Sequence, residues 1–230
     1  AAAARSSEAF VLEVPLKTMP LPERILGADY FLVELFVQGQ ALTFLLDTGF
    51  SAPVMLLESV CQKLGLSSAA AASGQKLIGA TGNMWMCKVD LVDPELSVSA
   101  NGDAPRWRLS TLTGVVTDAF VQQKLAEEVG IALDGMLGQG FLRLCDLELD
   151  APGGVLRFHR PASLPLSAPG WTSLRSLNLP GNLQGLLLSR SAGQEPVLGI
   201  IDSGASHTVV NVRAARALGL DAEVERHRER

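Results

Sequence analysis

Two short stretches hold the residues best able to do chemistry. Leu42-Thr43-Phe44-Leu45-Leu46-Asp47-Thr48-Gly49 is a mainly apolar run leading into an acid, a small hydroxyl residue and a glycine. Val197-Leu198-Gly199-Ile200-Ile201-Asp202-Ser203-Gly204 repeats that order 155 residues later. An apolar run closed by a glycine turn reads as a buried strand. Such a strand delivers a carboxylate to the margin of a core. Burying a lone carboxylate is costly, so the group must be hydrogen-bonded, paired or used. Two such acids on two copies of one unit point to a shared carboxylate pair. Neighbouring carboxylates hold one proton between them, because ionising both is expensive. One member can then accept a proton while the other donates one.

The repeat continues past the acids. Phe50-Ser51-Ala52-Pro53-Val54-Met55 is answered by Ala205-Ser206-His207-Thr208-Val209-Val210. Lys63-Leu64-Gly65-Leu66 is answered by Ala217-Leu218-Gly219-Leu220, with one residue dropped from the second copy. Upstream, Gly39-Gln40 and Gly193-Gln194 sit at matching places, where a hairpin turn would feed each Asp strand. The paired, ordered similarity is far more specific than either Asp tripeptide alone.

Asp47-Thr48-Gly49 and Asp202-Ser203-Gly204 resemble the two active-site signatures of aspartic proteases of the pepsin and retropepsin type. Asp134-Gly135-Met136-Leu137-Gly138-Gln139-Gly140-Phe141-Leu142 extends the resemblance. In that family a later hydrophobic-hydrophobic-Gly element packs beside the Asp loop, and Met136-Leu137-Gly138 fits it. Gly154-Val155-Leu156-Arg157-Phe158 resembles the strand that closes such a lobe. The resemblance implies an all-β chain with a few short helices. It implies an acid-protease barrel lobe over 9–161, a linker over 162–170 rich in Pro, Ser and Ala, and the start of a second lobe over 171–230. By analogy with the first unit, the second lacks its flap, its hydrophobic-hydrophobic-Gly element and its closing strand, so the sequence reads as a fragment. The likeness is greatest to retropepsin-like proteins with two tandem units in one chain.

The same resemblance implies an aspartic endopeptidase with Asp47 and Asp202 as its dyad. The ionised acid would take a proton from a water held between the two, and the protonated acid would donate to the scissile carbonyl. Gly49 and Gly204 would let backbone approach the carboxylates. Thr48 and Ser203 would bond across the junction of the loops, and Ser51 and Ser206 are candidates for bonds to the acids. Lys76 to Met86 has two apolar arms around a Gly-x-x-Gly tip. Its Ile78, Gly79, Ala80, Thr81 and Gly82 would form a glycine-rich flap over an extended peptide, which would bond to it as an added strand. Phe50 departs from the family pattern, where a small residue is usual, and would either crowd the cleft or line it.

Local patterns supply the elements that must position these groups. Phe10 to Pro15 reads as an edge strand, and Tyr30 to Val37 with Ala41 to Leu46 as a hairpin. Leu57 to Leu64 has helical spacing and is stopped by Gly65. Ser67 to Ser73 reads as a loop. Val89 to Val98 and Trp107 to Val116 read as strands separated by a turn at Asn101-Gly102-Asp103. Asp118 to Glu128 reads as a helix capped by Asp118 and stopped by Gly130, with its charges on a solvated face. Leu147 to Asp150 and Val155 to Phe158 flank a Pro152-Gly153-Gly154 turn.

Composition bounds the partners. The 230 residues are 47% hydrophobic and carry a formal net charge of −5. The mean hydropathy is +0.25 and the pI about 5.2. That is enough apolar material for one or two cored domains. No basic run appears, which argues against nucleic acid. No apolar stretch approaches the roughly 18 residues that span a bilayer, which argues against a membrane partner. Cys61, Cys87 and Cys145 are too scattered for a zinc site and read as thiols or one disulfide with one left over. Three distant histidines make no metal cluster, so no metal and no cofactor is expected. The opening Ala/Ser/Arg-rich residues fit a disordered tail or the remnant of a plastid-like transit peptide; the compartment stays open.

Polypeptide is therefore the expected substrate and a bilobal monomer the expected form. Three other readings stand beside it. A homodimer would pair two Asp47 residues. A non-catalytic module would keep the fold and bind peptide. An actin-like ATPase would use Asp202-Ser203-Gly204-Ala205-Ser206-His207-Thr208 as a phosphate loop, but no further nucleotide loops accompany it.

Overall fold

A computed structural model describes residues 10–23, 27–66, 75–79, 82–99, 103–164, 170, 172–189 and 196–220, with backbone alone at 10–11, 75–79 and 82–85. The opening tail, the 67–73 loop, Ala80 and Thr81, the Asn101-Gly102 turn, residues 165–169 of the linker and the Gly193-Gln194 turn lie outside the described residues.

The first elements are β1 (Phe10–Met19), β2 (Tyr30–Val37), β3 (Gln40–Asp47), β4 (Val54–Leu57) and α1 (Glu58–Lys63). Next come β5 (Gln75–Gly79), β6 (Gly82–Leu91), β7 (Glu95–Ser97), β8 (Arg106–Arg108) and β9 (Leu112–Thr117). Then follow α2 (Val121–Glu128), β10 (Gly135–Gly138), α3 (Gln139–Leu142), β11 (Asp146–Asp150) and β12 (Val155–His159). These strands form one mixed sheet in the order β11-β12-β1-β2-β3-β10-β4-β9-β6-β5, with β7 on β2 and β8 on β7. A separate three-stranded sheet holds β13 (Ser176–Asn178), β14 (Gln184–Leu188) and β15 (Val197–Ile200), and α4 (Val212–Ala217) follows it.

The β2–β3 hairpin turns at Gln38 and Gly39, which take φ of 50° and 79°. Two positive φ values in a two-residue turn match the twist of the strands it joins. Strand β3 is then flanked on one side by β2 and on the other by β10, parallel, with Gly138 opposite Asp47. Strand β10 also pairs β4 antiparallel, so it is wedged between the strand before the Asp loop and the strand after it. All four residues of β10 and all four of β4 are buried. A strand covered on both faces reads as an unbroken apolar run, and Val54-Met55-Leu56-Leu57 of β4 is one.

The expected closed barrel is not seen. Strands β11 and β5 end the order instead of pairing with each other. Curvature comes from two long strands that change partners midway. β1 pairs β12 through Pro15 and β2 from Leu16. β6 pairs β5 through Met86 and β9 from Cys87. The bend brings β12 over β8, where Phe158 lies 5.8 Å from Trp107 and 5.9 Å from Phe141 of α3, ring centre to ring centre. Around this aromatic group the core gathers Leu12, Leu35, Phe44, Leu46, Leu56 and Leu156.

Four local expectations are corrected. The strand over Trp107 to Val116 is split into β8 and β9. The first strand is not an edge: β1 lies between β12 and β2, and Pro15 sits where it changes partners, which spares the ladder a missing N–H. The run over 89–98 is split into β6 and β7 at Asp93, whose φ is +44°, and Pro94. Helix α2 begins at Val121 with Phe120 at the N-cap position, while the Asp118 carboxylate accepts from Ala119 N at 2.8 Å. Burial of Phe120 moves the helix start two residues on from the polar cap.

The second copy of the repeat keeps the local signature of the first. Helices α1 and α4 both end on a left-handed glycine, Gly65 at φ +64° and Gly219 at +75°. Leu66 N then reaches Cys61 O at 2.9 Å and Leu220 N reaches Ala215 O at 2.8 Å, the same helix stop twice. Packing is not repeated. The run over 197–201, expected as a buried strand, leaves Leu198 49% and Ile200 51% exposed. Among the described residues β15 has β14 on one side and no counterpart of β10 on the other. No helix among the described residues is long and apolar enough to cross a membrane. Burial pushes the free thiols of Cys61 and Cys145 up to about 11 and 12.

Candidate active site

Strand β3 ends on Asp47, and the chain turns at once, Phe50 N donating to Asp47 O at 3.2 Å. The second copy turns the same way, Ala205 N donating to Asp202 O at 3.3 Å. In each loop the glycine N–H reaches back to its own acid: Gly49 N to Asp47 Oδ1 at 2.8 Å and Gly204 N to Asp202 Oδ1 at 2.9 Å.

The two loops meet through a reciprocal set of hydrogen bonds. Thr48 N donates to Ser203 Oγ at 3.1 Å, and Ser203 N donates to Thr48 Oγ1 at 2.9 Å. Each hydroxyl then donates onward, Thr48 Oγ1 to Ile201 O and Ser203 Oγ to Leu46 O, both at 2.8 Å. Leu46 and Ile201 are the residues that precede the two acids, so the pattern is symmetric. Each hydroxyl spends one donor and one acceptor on the opposite loop, as a serine or threonine can and an alanine or valine cannot.

This clasp sets the carboxylates against the opposite glycines. A Cβ on Gly49 would stand 2.4 Å from Asp202 Cγ, and one on Gly204 would stand 2.3 Å from Asp47 Cγ. Only a bare Cα permits that approach. Asp47 is 8% exposed. Burial foremost, then the Asp202 charge and its side-chain hydrogen bond, push the Asp47 carboxyl up to about 7. The backbone donors Gly49 and Phe50 pull the other way and are outweighed. Asp202 lies on the more exposed side. One acid that keeps its proton near neutrality beside one that faces solvent can donate and accept in the same event.

An open cleft of about 410 Å³ lies over the pair. Its walls include Tyr30, Met55, Met86, Phe120 and Met136, with Phe50 from the first loop and Ala205, Ser206 and His207 from the second. Phe50 lines the cleft and packs on the core beside Gly138. Met136-Leu137-Gly138 runs alongside Leu45-Leu46-Asp47. Gly138 N donates to Pro53 O at 3.0 Å and Gln139 N to Phe50 O at 2.7 Å, which braces the residues after Asp47. A Cβ on Gly138 would meet Ala52 O at 2.2 Å, so glycine is required there by close packing.

Other predicted residues fall elsewhere. The Ser206 hydroxyl pairs with His207 Nδ1 at 2.8 Å and not with an acid. Ser51 is exposed and faces Gly181, where an added Cβ would stand 3.4 Å from Ser51 Cβ. Ile78, Gly79 and Gly82 belong to the β5–β6 hairpin, with Gly79 opposite Gly82.

Sequence reasoning gave no role to Gln122 or His207, which line the cleft, or to Asp134, which ties the strands behind it. Asp134 opens β10: its Oδ2 accepts from Thr43 N, its N donates to Thr43 O, both at 2.9 Å, and its O accepts from Leu57 N. Gln122, given no role by the sequence, donates to Gly204 O at 3.4 Å. His207 carried one signal, its mismatch with Ala52 in the aligned repeat.

No family model matches the chain, and no curated protein matches it. Among solved structures, the chain is similar to a retropepsin-like aspartic protease from Rickettsia conorii, with 17% identity and a TM-score of 0.37 over 62% of this chain and 98% of that one. It is also similar to the EIAV protease complexed with the inhibitor HBY-793, with 15% identity and a TM-score of 0.31 over 49% of this chain and 84% of that one. Both likenesses are distant.

Proposed function

We propose that the chain is an aspartic endopeptidase that hydrolyses peptide bonds with a water activated between Asp47 and Asp202. The observation that carries this reading is the clasp: two Asp-hydroxyl-Gly loops bonded reciprocally, each carboxylate against the other loop's glycine. The ionised member of the pair takes a proton from the water. Asp47, protonated, donates to the scissile carbonyl oxygen as the water oxygen attacks the carbonyl carbon. The product is a neutral tetrahedral gem-diol, with no covalent bond to the enzyme. The carboxyl that took the water's proton gives it to the leaving nitrogen, the other carboxylate takes a proton from a gem-diol hydroxyl, and the C–N bond breaks to leave an acid and an amine with the dyad restored. Residues 9–161 and 171–230 act in this reading as two copies of one unit joined at 162–170. The β5–β6 hairpin serves as the flap and pairs with an extended substrate.

A dyad of two Asp47 residues from separate chains is disfavoured, because the Thr48–Ser203 bonds would first have to break. The test is peptide cleavage by the full chain from about pH 3 to 8, a range that brackets a carboxylate pair. Asp47→Asn, Asp202→Asn and a statine-type inhibitor serve as comparisons. Inhibitable activity lost in both variants supports the reading. Activity lost with Asp47→Asn alone assigns the dyad to two chains. A folded protein that cuts nothing at any pH refutes the peptidase reading and moves it to a non-catalytic peptide-binding module.

A further inference from the structure

The aligned repeat makes the cleft unequal on its two sides. Phe50-Ser51-Ala52 of the first copy faces Ala205-Ser206-His207 of the second. The first side puts a large ring next to the Asp loop and a methyl group two residues on. The second side reverses this, with a methyl group first and an imidazole two residues on. Phe50, Ala205 and His207 all line the cleft.

His207 is held in place by more than its own rotamer. Ser206 Oγ lies 2.8 Å from Nδ1. Gly27 and Ala28 strap the same turn: Ala28 N donates to Ser206 O at 2.8 Å. Gly27 lies so close that a Cβ would stand 2.6 Å from Ser206 O and 2.9 Å from His207 Cε1, and its φ of +146° is one that side-chain-bearing residues rarely adopt. With Nδ1 engaged, Nε2 is the nitrogen left for a ligand; among the described residues it has no hydrogen-bond partner.

We propose that His207 is the specificity-determining residue of this cleft and that it takes the carboxylate side chain of an extended peptide on the Asp202 side. The proposal rests on the peptide reading above. A ring nitrogen that donates to a carboxylate makes a charge-assisted hydrogen bond, stronger than its neutral counterpart. The surrounding wall of Met55, Met86, Phe120 and Val209 is apolar; of the other polar groups lining it, Tyr30 is buried and the Gln122 amide already donates to Gly204 O. Ala205 leaves the space that Phe50 occupies on the other side, so the acid is accepted at one register only. The negative charge of the dyad excludes it from the scissile position itself.

The test is fluorescence polarisation with the full chain carrying Asp47→Asn, so that peptides are bound and not cut. The probes are labelled extended octapeptides with a single Glu, Gln or Lys walked through the sequence. Glu is expected to bind roughly tenfold tighter than Gln at one register, the gain typical of one hydrogen bond to a charged group. His207→Ala is expected to erase that preference, and His207→Glu to transfer it to Lys. A Glu preference that survives in His207→Ala, or none in the parent, overturns the proposal. Cleavage of the same peptides by the chain with Asp47 intact separates the two claims. Peptides bound with the Glu preference and left uncut refute the peptidase reading and sustain His207; peptides cut without the preference do the reverse.

Discussion

Replacing Gly204 by alanine tests the clasp with a single methyl group. The added carbon would stand 2.3 Å from Asp47 Cγ and Oδ2. Ordinary contact for such a pair is about 3.4 Å, so something must yield by roughly 1 Å. Asp47 is poorly able to yield. Its Oδ1 is held by Gly49 N at 2.8 Å, and its side chain is buried. Rotating it away breaks that bond to an acid, which costs about 1.5–3 kcal/mol. Parting the loops instead strains the Thr48–Ser203 bonds. Either way the carboxylates lose their alignment. A displacement of about 1 Å in a reacting group is enough to lower kcat by 10²-fold or more. The expected result is a folded protein with a melting temperature lowered by several degrees and kcat reduced at least 10²-fold, KM changing little. Gly49→Ala should behave alike, because its Cβ would stand 2.4 Å from Asp202 Cγ. Peptide cleavage and a thermal melt on each variant check this. A Gly204→Ala protein that cuts within threefold of the parent refutes the claim that the acids sit tightly against the opposite glycines.

Three further outcomes follow from the same geometry. Because the Asp47 carboxyl is raised from 3.8 to about 7, the folded chain holds a proton that the unfolded chain has lost between those values. Its stabilising contribution is complete below about pH 4 and is lost as pH rises to 7, at up to roughly 1.4 kcal/mol per pH unit; urea melts across that window should show the slope in the parent and a flatter profile in Asp47→Asn. Thr48→Val and Ser203→Ala should each cost about 1–3 kcal/mol, and the double variant less than the sum, since each removes a partner of the other; denaturant titrations of all four proteins measure the coupling. Phe158→Ala should cost about 3–5 kcal/mol, because the ring is fully buried between Trp107 and Phe141; a urea midpoint unchanged in that variant would place the core elsewhere.

What could be read from sequence was whatever is decided locally. Asp47 and Asp202, their glycines, and the helix stop at Gly65 each depend on a few adjacent residues, so a local pattern exposed them. Met136-Leu137-Gly138 was legible only through the family resemblance, and the structure gives the physical reason for that pattern: the strand is buried along its length, and the contact of Gly138 with Ala52 O leaves room for glycine alone. Long-range partners left no such trace. Phe10 to Pro15 reads by its pattern as an edge strand, but β1 lies in the sheet interior and changes partners at Pro15. Asp118 is a good capping residue, yet Phe120 must be buried, and that shifts the helix by a register no propensity contains. The second copy is the sharpest case. Its apolar run follows the same pattern as the end of β3, but a strand is buried by its neighbours and not by its own residues. β3 has β2 and β10 beside it, whereas β15 has β14. Burial at Leu198 and Ile200 therefore differs from burial at Thr43 and Leu45 although the motif is shared. The two Asp loops escape that difference because their bonds run to each other. Thr48 and Ser203 supply the clasp from within the repeated tripeptides, so the one feature that needs both copies is also the one whose every donor and acceptor lies within four residues of the repeat, Leu46 to Gly49 and Ile201 to Gly204.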